Sequence, residues 1–156
     1  MSNQIVLQKV SGEATIFDVV APAGLKNGNF VSLGDRNSNG TYACAAPAAI
    51  TDNDIVMVLS VPLSYAADKA QNDYEIATGE VVRAYVPYKG MVVSIPVANI
   101  TATVAVAKDA FVIPDAAALK AEAVAALGGT ESVAFVVDEV YTEFGVSMAK
   151  LRCVVA

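Results

Sequence analysis

The 156-residue chain contains no histidine and no tryptophan, only two cysteines, and charged residues at just 17% of its positions. Without histidine the commonest general base and the commonest metal ligand are missing, and with them the Ser-His-Asp and Cys-His nucleophile systems. Cys44 and Cys153 lie far apart with no CxxC spacing. Their apolar neighbours suit small buried hydrophobes, and a single disulfide stays open as an option that nothing demands. Cations are scarce, with ten Lys and Arg against sixteen Asp and Glu and a net charge of −6. They gather in no stripe, whereas a phosphate-gripping surface needs several cations in one place. Nucleic acid is therefore not expected as a partner, and neither an enzymatic activity nor a cofactor is expected.

Long apolar runs are also lacking. The longest uncharged stretch, Gly90 to Ala107, holds Pro96, Asn99, Thr101 and Thr103 and alternates from Thr101 to Val106. A spanning helix needs a longer and more uniform run, so two strands around an Asn-containing bend explain it better and no membrane is expected. The first residues, MSNQIVLQKV, show neither the basic region nor the apolar run of a signal peptide. Asn99-Ile100-Thr101 matches a glycosylation acceptor, which has no consequence without secretion.

What is present is 55% hydrophobic residue, dominated by Ala and Val. Such a composition excludes a disordered chain. At this length about two-thirds of the chain's surface can be buried, enough for a core without disulfide or metal staples. Short β-branched runs punctuated by Gly, Pro, Asn and Asp predict strands: Gln4–Lys9, Ala14–Val20, Asn29–Leu33, Thr41–Ala45, Ile55–Val61, Glu80–Val86, Met91–Val97, Thr101–Val106, Ala110–Ile113, Val133–Tyr141 and Ser147–Val155. Asn27-Gly28 marks a tight turn, and Gly34 to Gly40 a polar hairpin loop. The run IVMVLSV from Ile55 reads as a strand buried on both faces. Ser64 to Asn72 is a short helix or an excursion loop. The one clear helix is expected over 116–127, with Asp115 as its cap, Leu119, Ala123 and Leu127 as its stripe, and Gly128-Gly129 as its stop. Together these describe a mainly β chain, a compact small β-barrel or β-sandwich with one short helix, forming a single domain over 1–156 with 1–10 as an extended N-terminal arm.

Few residues suggest chemistry. Asp52 and Asp54, Asp73 and Glu75, and the adjacent Asp138-Glu139 are carboxylate pairs. A strand would put Asp73 and Glu75 on one face, able to chelate Ca²⁺ or flank a glycosidic bond. Solvated turn carboxylates are much commoner, and Asp52-Asn53-Asp54 runs into Ile55-Val56-Met57 instead of an EF-hand loop. No glycine pattern opens a helix after a strand. The aromatic cluster Tyr85 and Tyr88, with Lys89 beside it, reads evenly as a protein interface or as core packing.

Three segments, PAGLKNGNFVSLGD (Pro22 to Asp35), TGEVVRAYVPYKGMVVSIP (Thr78 to Pro96) and AVAKDAFVIPDA (Ala105 to Ala116), resemble small virion proteins of tailed bacteriophages. The type they most resemble is the capsid decoration, or cement, protein. The resemblance covers about half the chain and carries over no functional residue. It implies a small β-barrel or sandwich, virion localisation after assembly in the bacterial host cytoplasm, and the phage major capsid protein as partner. It implies binding to the outer face of an assembled shell where capsid subunits meet, strengthening it without catalysis. A homotrimer is one candidate oligomeric state. On this reading the extended segment Gln4, Ile5, Val6 and Leu7 is the candidate docking arm, adding a strand to a shell sheet edge, and Tyr85 and Tyr88 are candidate interface aromatics. The alternatives are a tail tube or other ring-forming virion protein, a small β-sandwich ligand-binding module and, more distantly, an enzyme built on Asp73 and Glu75.

Overall fold

A computed structural model describes residues 6–9, 15–59 and 76–156. Its elements are β1 (Val6–Lys9), β2 (Ile16–Val20), β3 (Phe30–Arg36), β4 (Tyr42–Ala45), β5 (Ile55–Val58), β6 (Val81–Tyr85), β7 (Val92–Pro96), β8 (Ile100–Ala102), β9 (Phe111–Pro114), β10 (Ala121–Val124), β11 (Ala134–Glu143) and β12 (Val146–Val155), with one 3₁₀ turn at Val97–Asn99. β2 to β6 close into a five-stranded barrel in the order β2-β4-β3-β5-β6. The remaining strands form a seven-stranded sheet in the order β1-β7-β12-β11-β9-β10-β8. The mainly β expectation is met, and the barrel is accompanied by a second sheet.

β3 and β5 form the wall common to both units. All four residues of β5 are buried, as the run IVMV predicts. Because successive side chains point to opposite faces of a strand, Val56 and Val58 enter the barrel core with Val19, Val31, Val82 and Ala84. Ile55 and Met57 turn the other way, joining Phe30, Val93, Ile95, Phe135, Val137, Ala149 and Leu151 in a second core beneath the sheet. Phe30 meets Phe135 across this second core with ring centroids 5.8 Å apart.

The barrel closes at a narrow seam. β2 and β4 pair in parallel at one position, Val19 opposite Tyr42. Side chains hold it there: the Phe17 and Tyr42 rings meet edge to face at 5.1 Å, and the Cys44 thiol donates to the Val20 carbonyl at 3.3 Å.

The turn at Asn27-Gly28 forms as expected, and it also joins the two units. Gly28 has φ +82°, and a Cβ there would sit 2.8 Å from Ile95 Cγ2. The Gly28 N–H donates to the Val58 carbonyl at 2.8 Å, the Lys26 N–H to Asn29 Oδ1 at 2.8 Å, and the Asn99 amide to the Asn27 carbonyl. Asn27, Asn29 and Asn99 are all buried, so these bonds replace the water the groups give up.

The helix expected over 116–127 is absent. Residues 115–120 form a loop along the barrel, in which the Ala117 N–H donates to the Pro47 carbonyl and the Phe30 N–H to the Leu119 carbonyl. Leu119 packs against the barrel core. Ala121 to Val124 then form β10, antiparallel to β9 and parallel to β8. Ala121 and Ala123 are fully buried at a spacing of two. A helix would have satisfied its own backbone but left that ladder empty, and tertiary pairing overrides the modest helix preference of alanine. Gly129, at φ +87°, belongs to a turn in which the Glu131 carboxylate accepts the Gly128 and Gly129 N–H groups at 2.6 and 2.8 Å. Thr101–Val106 shortens to β8, and the Ser64–Asn72 segment lies outside the described residues.

Replacing Gly28 with Ala adds both a left-handed backbone penalty and a clash with a buried side chain, together about 2–4 kcal/mol. Urea titration is expected to show this as a lower midpoint at an unchanged slope. A loss below about 0.5 kcal/mol, typical of an inert surface change, would show that the turn does not fix the barrel against the sheet.

Candidate docking surface

Of the candidate arm, Val6 and Leu7 lie in β1, opposite Ser94 and Val93 of β7, while Gln4 and Ile5 fall outside the described residues. Over Val6–Leu7 the segment is extended, as expected, but it ladders onto the chain's own sheet. The physical reason is that β7 would otherwise be an open edge. β1 now holds that edge, and its far side has no ladder partner among the described residues.

Tyr85 ends β6, opposite Ile16 and Met57. Tyr88 follows in the turn that leads to β7, where the Met91 N–H donates to its carbonyl at 3.0 Å. Both rings are partly buried and packed against the core beneath the sheet. Lys89 is exposed at that turn, beside Gly90 at φ +92°.

The exposed large hydrophobic residues among those described are different ones: Ile16, Val81, Val140 and Phe144. Ile16 and Val81 lie on the outer face of the β2–β6 ladder, near the directly opposed Asp18 and Arg83. Val140 and Phe144 belong to the β11–β12 hairpin. Both of its strands are expected from the sequence, while Phe144 falls between them in the loop. The signal available was a Phe-Gly pair in a two-residue loop where Asn-Gly or Asp-Gly is usual.

Polar candidates resolve into local structure. Asp52 accepts from the Ala48 and Ala49 N–H groups at 3.0 and 3.2 Å and from the Ser32 hydroxyl at 3.3 Å, which makes it the organiser of its own turn. It lines an open, acidic cavity of about 350 Å³ with Ser32, Leu33, Thr51, Asn53 and Asp54. Asp138 is the bulged residue in the β11 ladder and pairs with Arg152 through Nε at 3.1 Å, a half-exposed contact of small net energy. Asp73 and Glu75 lie outside the described residues. Among the described residues, no group of three or more Cys, Asp or Glu could hold a metal ion, and no helix is long and apolar enough to cross a membrane. No family model matches the chain, and no curated protein matches it significantly.

The two cysteines are free and occupy different cores, Cys44 against the barrel and Cys153 beneath the sheet. Burial raises both thiols, Cys153 to about 11. At pH 8 a thiol with that pKa is about one part in a thousand thiolate, and thiolate is the reactive form. A thiol-exchange reagent is therefore expected to label the native protein slowly and both sulfurs at once on denaturation. Electrophoretic mobility should be the same with and without reductant, and rapid native labelling of Cys153 is the contrary result.

Asp115 is raised as well, by burial first and then by the nearby Glu122 carboxylate, which accepts the Thr103 hydroxyl at 2.5 Å. A carboxyl whose folded pKa is raised favours the fold when protonated, and that contribution is lost as pH rises through the folded value. Asp115→Asn should therefore raise the thermal midpoint slightly at pH 7, with the gain shrinking toward pH 3. A gain that persists at low pH would point to a cause other than the charge.

Proposed function

We propose that the chain is a non-enzymatic virion structural protein that binds the outer surface of an assembled phage capsid and stabilises it. The observation that carries the reading is where the resembling segments fall. Pro22 to Asp35 supplies the Gly28 turn and most of β3, and Thr78 to Pro96 supplies β6, β7 and the link between barrel and sheet. These parts tie the two cores together. A protein that reinforces a shell passes load between subunits through its own body. A barrel and a sheet locked across one buried wall resist relative movement because close-packed interiors transmit strain and compress little.

The acidic balance of −6 suits a basic or mixed shell surface, since complementary potentials speed encounter and fix register. The free side of β1 and the exposed apolar side chains of the two ladders are contacts such a surface could use. The major capsid protein is the partner on this reading, and the virion the location.

Shells of the encoding phage, assembled without this protein and expanded, are expected to bind it saturably and to disrupt at a higher temperature once loaded. Light scattering of the free protein should give a discrete monomer or trimer, with no higher assembly on negative-stain grids. Rings or tubes in that sample would transfer the protein to the tail, and shells that bind none would remove the reading altogether.

A further inference from the structure

The β11–β12 hairpin has two ten-residue strands, yet its neighbours accompany only part of it. β9 pairs with β11 at Phe135 and Val136, and β7 with β12 from Met148 to Arg152. β7 flanks the hairpin as far as the Tyr141–Met148 rung, so only the last two rungs, Thr142–Ser147 and Glu143–Val146, and the loop beyond them lack a third strand among the described residues. A two-stranded ribbon is marginal alone in water, so a projecting one suits a contact made beyond the body of the protein.

Its tip breaks a local rule. Phe144 and Gly145 form the two-residue loop, and both have positive φ, +48° and +78°. Loops of that type prefer Asn, Asp or Gly at the first position. Here a phenylalanine takes the left-handed conformation, and the residue is 81% exposed. The residue bears backbone strain and gains no burial within the chain. A rule broken without an internal gain is expected at functional positions. Val140, 39% exposed, lies further back on β11, opposite Ala149, where β7 still flanks the hairpin.

We propose that this tip, anchored by Phe144, is the surface through which the chain docks onto a protein partner carrying an apolar pocket rimmed by Lys or Arg. The inference rests on the shell-binding reading and names its contact. The rim follows from charge: Glu143 adjoins Phe144 at the tip, the Tyr141 hydroxyl donating to it at 3.3 Å, in a chain of net charge −6, whereas Glu139 lies further back opposite Lys150. Arg152 is already engaged by Asp138. A second copy fits poorly, because the open cavity described above carries Asp52 and Asp54 and would set carboxylates against Glu143. An anionic lipid surface would repel the same glutamates.

Phe144→Asn separates docking from folding. Asparagine tolerates the left-handed turn, so the thermal midpoint should hold or rise, while affinity for expanded shells falls about thirty-fold or more, the loss typical of an aromatic anchor. Phe144→Tyr should retain most of the binding. Equal shell binding by the wild-type chain and Phe144→Asn would overturn the proposed tip and leave the shell reading standing; failure of the wild-type chain to bind would end both. If Phe144→Asn instead dissociated an oligomer in light scattering, or abolished binding to vesicles of equal phosphatidylcholine and phosphatidylglycerol, the tip would belong to a second copy or a membrane, and the proposal would be wrong.

Discussion

The fold depends on a wall two strands wide whose side chains serve two cores at once. Phe30, Ile55 and Met57 face the sheet, and Val31, Val56 and Val58 face the barrel interior. A slip of one residue in the β3–β5 register would exchange these sets, sending a phenyl ring and a methionine into places that valines fill in the barrel core. The size difference between the two sets therefore protects the register. The buried turn before β3 adds a second constraint, since only a residue without a Cβ lets Ile95 approach so closely.

Where local chemistry decided the outcome, the sequence was readable. IVMV reads as a strand buried on both sides and Asn-Gly as a turn, and both form; alternation along β2 separates Phe17 and Val19 from Ile16 and Asp18, and the structure turns the first pair inward. The region after Asp115 is ambiguous in sequence because Leu119, Ala123 and Leu127 satisfy a helical period while Ala121 and Ala123 satisfy a strand period equally well. Alanine is small enough for either, and the vacancy between β9 and β8 settled the matter. Long-range pairings were not readable either: nothing local in VLQK announces β7 as its partner, and nothing in Tyr42 announces a parallel bridge to Val19. Among candidate contact residues, Tyr85 and Tyr88 pack against the core, while Phe144, in the loop between β11 and β12, is exposed.

Stability and contact are divided between different parts of the molecule. Cys153, the aromatic pair Phe30–Phe135 and the buried asparagines belong to the interior, and Cys44 packs against the barrel core. The carboxylates mostly organise their own turns, as Asp52 and Glu131 do with nearby N–H groups. Among the described residues, the backbone edge without a ladder partner and the exposed aromatic lie at the extremities, on the far side of β1 and at the end of the β11–β12 hairpin. This division lets contact residues vary with little cost to the interior, because additivity holds for sites that share no neighbours.

The position of β1 has a consequence for synthesis. It precedes the barrel in the chain, but its ladder partner β7 follows the barrel. On the ribosome β2 to β6 emerge with their ladder partners among themselves and can close while β1 waits unpaired. Until β7, β11 and β12 are made, that nascent barrel shows Phe30, Ile55 and Met57 to water on its outer wall. Exposed apolar wall and unpaired strand are the features that make partly folded chains aggregate. The same arrangement that joins two cores in the finished protein leaves a sticky interval during its making, and chaperones that hold such surfaces have most to do between the appearance of β6 and that of β12.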